Sequence, residues 1–185
     1  MANDLTPAAS EAGTTRQEVR SRGSLPSGGP HEVGRRGDYL VSTDPALLDL
    51  PLIHDFLSNR SYWAAGIPVE VVRRSTENSL CFGLYQGTHQ IGFARVVTDG
   101  ATFAYLADVF VIEAHSGQGL SKWLLDCVMR HPHLQGLRRF LLGTRDAHSL
   151  YERHGFTPLT DPERFLEIFR PDVYSKDEGG RTNPN

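Results

Sequence analysis

Residues 105–125 read YLADVFVIEAHSGQGLSKWLL, and the parsing of this stretch decides the fold. Its first part, 105–112, mixes aromatic and β-branched side chains and predicts a buried strand. From Gly117 onward the period changes. Leu120, Trp123, Leu124, Cys127 and Val128 recur at helical spacing, so the strand passes through a short glycine-bearing turn into an amphipathic helix. Ser116, Gly117, Gln118, Gly119, Leu120 and Ser121 make up the turn. Backbone N–H groups at the positive end of a helix, beside glycines that carry no Cβ, form a cradle for a phosphate group.

Upstream, 79–86 and 90–99 are apolar runs joined by Gly87-Thr88-His89, which predicts an antiparallel hairpin. Asp99-Gly100 supplies a second tight turn into the strand ending at Val111, so three strands in meander order feed the cradle. Earlier still, 39–42 reads as a first strand, and Thr43 or Asp44 before Pro45 as a helix cap. Leu47, Leu48, Leu52, Ile53, Phe56 and Leu57 form the apolar stripe of that helix, with a disturbance expected at Pro51. A loop over 60–67 and a second short helix over 68–77 follow. Downstream, His131-Pro132-His133 ends the central helix, 139–144 is another short strand, and 146–154 is a helix closed by Gly155. Residues 157–159 and 164–169 read as closing strands.

Two nucleotide-binding patterns fail at the turn. Gly119 is followed by Leu120 rather than the Lys-Ser/Thr of a Walker loop, and Lys122 stands where the Rossmann pattern has its third glycine. The stretch instead resembles the acetyl-CoA-binding motif of the GCN5-related N-acetyltransferases, the GNAT superfamily: a strand ending in Val, then Arg/Gln-Gly-x-Gly-x-Gly/Ala. Val111 stands five residues before Ser116, and Gly117 and Gly119 fall on the family's glycines. Ser116 departs from the usual basic or amide residue, and Ser121 from the usual glycine or alanine. A second stretch, 144–156, reads TRDAHSLYERHGF and is similar to the family's Asn-x-x-Ala-x-x-Leu-Tyr-x-x-x-Gly-Phe signature, with Thr144 in place of the Asn.

The resemblance covers roughly 38–170 and points to a small, single-domain, bacterial-type member. It implies an α+β fold with a mixed, mostly antiparallel sheet of six to seven strands and helices on both faces. It implies acetyl-CoA as co-substrate, with Ser116, Gly117, Gln118, Gly119, Leu120 and Ser121 around the pyrophosphate. The backbone of Val109, Phe110 and Val111 would pair with the pantetheine arm as an added strand. Tyr151 falls on the family's general acid; its other reading is a half-buried tyrosine that anchors Gly155 and Phe156. Tyr62 and Trp63 lie in the region that overlies the acceptor in the family, and are equally readable as packing aromatics.

Acetyl transfer to an amine needs a proton acceptor, because an amine with pKa near ~10.4 is almost wholly protonated at neutral pH. The family offers no single position for it. Asp108, an acid inside an apolar strand, is the candidate, and an ion pair with Arg95 on the preceding strand is the competing reading. A water chain ending in Asp108, Glu70 or Tyr105 is a further option. The expected reaction is therefore direct transfer of an acetyl group from acetyl-CoA to the amine of a small molecule. A protein N-terminus or lysine as acceptor, and a CoA-binding sensor module without turnover, stay open as alternatives.

The composition bounds the rest. A chain of 185 residues suits one core. A formal net charge of -3 without a basic run argues against nucleic acid. Cys81 and Cys127 lack zinc or redox spacing, and His131 with His133 lacks a third ligand, so no metal is expected. No run of membrane-spanning length and no secretory h-region occurs, which predicts a soluble, cytoplasmic protein. Residues 1–37, without Phe, Tyr or Trp, read as a disordered extension and 171–185 as a polar, frayed tail. The expected partner is a small-molecule amine, and a homodimer is compatible with the sequence.

Overall fold

The computed structural model describes residues 31–174. Six strands form one sheet whose spatial order is the chain order: β1 (Glu32–Arg36), β2 (Tyr39–Ser42), β3 (Leu80–Gln86), β4 (His89–Thr98), β5 (Phe103–Val111) and β6 (Arg139–Leu142). Neighbours are antiparallel up to β5, and β5 with β6 is parallel. A parallel pair needs a crossover, and α3 (Leu120–Arg130) supplies it. The other helices are α1 (Leu50–Asn59), α2 (Val69–Glu77) and the short α4 (His148–Glu152).

The pleat sends alternate side chains to two cores. On one face Phe82, Leu84, Ala94 and Val96 pack against Leu124, Leu125 and Val128 of α3. On the other, Cys81, Phe93 and Phe110 pack against Ile53 and Leu57 of α1 and Val72 of α2. The sheet is thus mixed, mostly antiparallel and covered on both faces, as the resemblance implied.

Three expectations are corrected. First, β1 lies inside the segment read as disordered; residues 1–30 fall outside the described part. β1 has little apolar signal of its own because its packing comes from a close approach. A Cβ on Gly34 would sit 2.8 Å from Cys127 Sγ, so glycine lets this strand lie on α3. Glu32 and Arg35 pair on the same strand at 2.9 Å. Second, the first helix is split. Asp44 caps a 3-10 turn at Pro45–Leu47, and α1 starts afresh with Asp49 accepting from Leu52 N–H. Pro51 sits in the first turn of α1, where its missing N–H costs nothing, so it opens the helix rather than disturbing one. Third, 157–159 and 164–169 are not strands, and β6 is the last strand among the described residues. A 3-10 turn occupies Pro162–Arg164, and Leu166, Ile168 and Phe169 beyond it are exposed. Alternating apolar residues are competent to form a strand, but 164–169 pairs with no strand among the described residues.

Candidate active site

The site begins at an irregularity between β4 and β5. Phe93 faces Phe110 and Arg95 faces Ala107, so Ala94 alone is opposed by both Asp108 and Val109. This is a β-bulge, and Asp108 adopts φ 55° within it, a left-handed conformation that Asp tolerates better than most residues. Pairing of β5 with β6 ends at Leu106 opposite Leu142. Past that point the two strands part, and no strand among the described residues lies on the β6 side of β5. A cleft of about 760 Å³ opens there.

The cleft brings together Tyr62, Trp63, Tyr105, Asp108, Val109 and Tyr151, drawn from a loop, from β5 and from α4. Phe110 and Val111 are not among the lining residues, and the Phe110 ring is buried and stacked on Phe56 at 3.8 Å between centroids. Glu70 is not among the lining residues; it pairs with Arg73 at 3.2 Å on the exposed side of α2.

Both oxygens of Asp108 are engaged. Arg95 Nε donates to Oδ2 at 2.7 Å and Trp63 Nε1 donates to Oδ1 at 3.1 Å. Arg95 is itself steadied by a bond from Nη1 to Ser79 Oγ at 3.2 Å. The ion pair weighed against catalysis in the sequence is therefore present, with an indole added to it. Each carboxylate oxygen keeps a second lone pair for a ligand.

Tyr151 stands on α4, whose start is held by Ala147 N–H donating to Thr144 Oγ1 at 3.1 Å. Thr144, in the place of the motif's Asn, thus braces the turn that leads into α4, which itself has no side-chain cap. The Tyr151 ring meets Phe156 edge-on at 6.1 Å, so the packing reading is also realised. Burial foremost, then Tyr62 and Asp146, raises the Tyr151 pKa above the ordinary phenol value. The hydroxyl keeps its proton at neutral pH, which a proton donor requires.

At the far end of β5, a 3-10 turn at Glu113–His115 leads into the glycine turn. Gly117 and Gly119 take φ 74° and 72°, and a Cβ on either would meet open space. The first helical bond of α3 is Trp123 N–H to Gly119 O at 3.0 Å, and no side chain caps the helix. The N–H groups of Leu120, Ser121 and Lys122 are therefore presented outward, as an anion site demands. Gln118 accepts from Tyr39 O–H at 2.9 Å, and Ser116 is exposed.

Arg145 and Tyr174 are among the lining residues that were not foreseen. The Arg145 guanidinium stacks 3.8 Å above the Tyr62 ring, while its N–H donates to Tyr62 Oη at 3.1 Å. Tyr174 closes one side of the cleft, its carbonyl 3.1 Å from where a Gly66 Cβ would stand. As the only aromatic in 171–185, Tyr174 carried a signal: a ring in a polar tail needs somewhere to pack. Arg145 carried none. Away from the cleft, His131 and His133 face each other edge-on at 5.3 Å, and no three metal-ligating side chains gather among the described residues. No helix of the described residues is long and apolar enough to cross a membrane.

The family model described as "Acetyltransferase (GNAT) domain" matches residues 77–158, which span both motif stretches. A Gibberella zeae protein classed as an acetyltransferase is 39% identical over 141 residues, covering 64% of this chain and 78% of the relative. A crystal structure from Xanthomonas campestris pv. campestris, assigned to the GNAT acetyltransferases, is 54% identical with TM-score 0.73, over 74% of this chain and 96% of that one. A GNAT acetyltransferase of Elizabethkingia anophelis, solved with acetyl-CoA bound, shares the fold at 15% identity and TM-score 0.52, over 73% and 90% of the two chains. The splayed sheet with its glycine turn is thus an acetyltransferase fold. The chain belongs to the GNAT family, whose members generally use acetyl-CoA.

Proposed function

We propose that this protein moves an acetyl group from acetyl-CoA to the amine of a small molecule by direct attack. One observation carries the reading: the unpaired edge of β5 at the bulge leads, through the 3-10 turn at Glu113–His115, into the uncapped, glycine-bearing start of α3, with Tyr151 in the wall of the cleft. An extended pantetheine arm fits the first as an added strand, and a pyrophosphate fits the second. The donor supplies an activated thioester when bound. Backbone N–H groups of Val109, Phe110 or Val111 orient it and hydrogen-bond the acyl oxygen.

The side chains divide the remaining work. Tyr151 donates its phenolic proton to the departing sulfur. Asp108, fixed by Arg95 and Trp63, offers free lone pairs to the ammonium of the acceptor and takes up its proton, directly or through water. Tyr62, Trp63 and Tyr105 bound the acceptor space, and the modest cleft suits a small molecule better than a protein surface. Two buried free thiols, with Cys81 pushed up to about 12 by burial, suit the reducing cytoplasm.

Melting curves test the central claim. A ligand that binds the folded state at a hundred times its dissociation constant stabilises by about 2.7 kcal/mol, so acetyl-CoA should raise Tm in a concentration-dependent way. A screen of amines for thiol release then finds the acceptor. An unmoved Tm at millimolar acetyl-CoA would refute the proposal.

A further inference from the structure

The cleft holds a cation whose side-chain donors are unused among the described residues. Its charged lining residues are Arg95, Asp108, Arg145 and Asp146. Arg95 is engaged by Asp108 and Ser79. Arg145 forms no ion pair among the described residues, not even with Asp146 beside it. Its side chain is nevertheless fixed in place. The guanidinium lies 3.8 Å above the Tyr62 ring, and the Arg145 backbone N–H donates to Tyr62 Oη at 3.1 Å. Stacking uses the face of a guanidinium and leaves its N–H groups, which lie in the plane, pointing sideways. Tyr62 Oη accepts from Arg145, so its own O–H remains a donor. An ordered guanidinium beside a hydroxyl is a site for an anionic oxygen group.

The rest of the cleft indicates what carries that group. A run of contacts leads from Arg145 to the carboxylate that receives the amine: Tyr62 meets Trp63 edge-on at 5.0 Å between centroids, and Trp63 Nε1 donates to Asp108 Oδ1 at 3.1 Å. Guanidinium and carboxylate thus stand at the two ends of an aromatic strip. Tyr62 and Trp63 are 45% and 43% exposed, so the strip offers apolar surface to a ligand. Tyr105 and Tyr174 line the same cleft.

We propose that the acceptor is a zwitterion of the amino-acid type: its amine meets Asp108, its carboxylate is held by Arg145 and the Tyr62 hydroxyl, and its apolar body lies on Tyr62 and Trp63. The proposal rests on the acetyl-transfer reading, which puts the amine at Asp108, and adds what the far end of the molecule must be. A plain amine would leave the guanidinium to water. A carboxylate matches its fork of donors with two parallel hydrogen bonds. A phosphate offers similar oxygens but carries about 1.5 to 2 negative charges, and Asp146 next to Arg145 repels such a group more than a singly charged one.

Calorimetry on the full chain saturated with CoA tests this without requiring turnover. The probes are matched pairs: phenylalanine with phenethylamine, alanine with ethylamine, a linear aminohexanoate with pentylamine, and phosphoethanolamine with ethanolamine. In at least one carboxylate pair the zwitterion should bind about tenfold to a hundredfold more tightly, since it alone makes the charged hydrogen bonds. Arg145→Met should abolish that difference and Arg145→Lys restore part of it, while both keep the rise of Tm with acetyl-CoA. Should Arg145→Met fail to fold, Arg145→Gln takes its place. Plain amines that bind as well as their zwitterions in every pair overturn the proposal, and so does binding by no probe. A preference for phosphoethanolamine alone overturns the carboxylate, and a weakened acetyl-CoA response in the variants overturns the acceptor role of Arg145. These failures, with the wild-type response to acetyl-CoA intact, strike this proposal alone. A wild type without that response strikes the acetyl-transfer reading, and this proposal with it.

Discussion

Arg95 on β4 donates from Nε to Asp108 Oδ2 at 2.7 Å, at the bulge where Asp108 turns to φ 55°. The side chains are only 17% and 10% exposed, so neither charge is fully served by water. Removing one partner of a shielded pair leaves the other uncompensated and costs about 3 kcal/mol or less, given the remaining exposure. Asp108→Asn preserves the shape and strands the Arg95 guanidinium. We expect it to lower the urea midpoint, and the double variant Arg95→Gln/Asp108→Asn to recover part of the loss. If Asp108 also takes the proton of the amine, the acidic limb of the kcat/KM profile flattens in Asp108→Asn. Unchanged stability would show that the pair holds nothing together.

Tyr151→Phe keeps the ring against Phe156 and deletes the hydroxyl. One well-placed acid contributes about 10² to 10⁴, so kcat should fall at least tenfold to a hundredfold with little change in acetyl-CoA affinity. Because burial raises the Tyr151 pKa, the wild-type rate should not begin to fall from loss of this proton until above the ordinary phenol range. Stopped-flow turnover from pH 7 to 11 reads both effects, and a fully active variant would return Tyr151 to packing alone.

The parts of the site that were legible from the sequence are those specified by local chemistry. The β3–β4 and β4–β5 turns rest on Gly87 and Gly100 at φ 58° and 68°, and the cradle on Gly117 and Gly119. Arg95 with Asp108 was readable as a pairing of adjacent strands. What stayed hidden depends on distant partners. Trp63 reaches Asp108 across 45 positions, and β1 exists because Gly34 fits against Cys127 on α3. The segment 164–169 was misread because alternation reports only that a strand can form, not that it pairs. Pro51 misled in the opposite sense, since its effect turns entirely on whether it falls in the first turn of a helix or later.

Asp99 predicts a pH dependence of stability. Its carboxylate accepts from the Thr102 hydroxyl at 2.6 Å and from the N–H groups of Ala101, Thr102 and Phe103 at 3.0, 2.8 and 3.1 Å. The Thr102 hydroxyl first, then these N–H groups, hold the Asp99 carboxyl well below the usual carboxylate range. A folded-state pKa below the unfolded value of about 3.9 stabilises fully above that value, and the contribution fades as pH falls toward the folded pKa. Asp99→Ala should therefore lower Tm at pH 7, and the gap to wild type should narrow below about pH 4. Circular-dichroism melts at pH 7, 4 and 2 read it; a gap constant across them would mean that turn geometry, not charge, is at stake.

Ser116 departs most from the acetyl-CoA motif, and its surroundings say what a longer side chain could do. Its N–H already donates to Glu113 O at 2.9 Å, while its side chain is exposed immediately before Gly117. The open N–H groups of α3 can hold a pyrophosphate without it, but no cation precedes the first glycine. A hydrogen bond to a charged group contributes about 1.5 to 3 kcal/mol when well made and less when water competes. Ser116→Arg should accordingly tighten acetyl-CoA binding by about tenfold, with a gain that shrinks as salt rises because the added interaction lies between exposed charges. His115 is the complication: it is the preceding residue, and its Nδ1 is buried without a protein partner. Titration calorimetry at pH 8 makes the comparison. Two salt concentrations then separate charge from shape. Binding that is unchanged or weaker at low salt would mean that the backbone amides alone saturate the phosphates, and that an arginine here only crowds them.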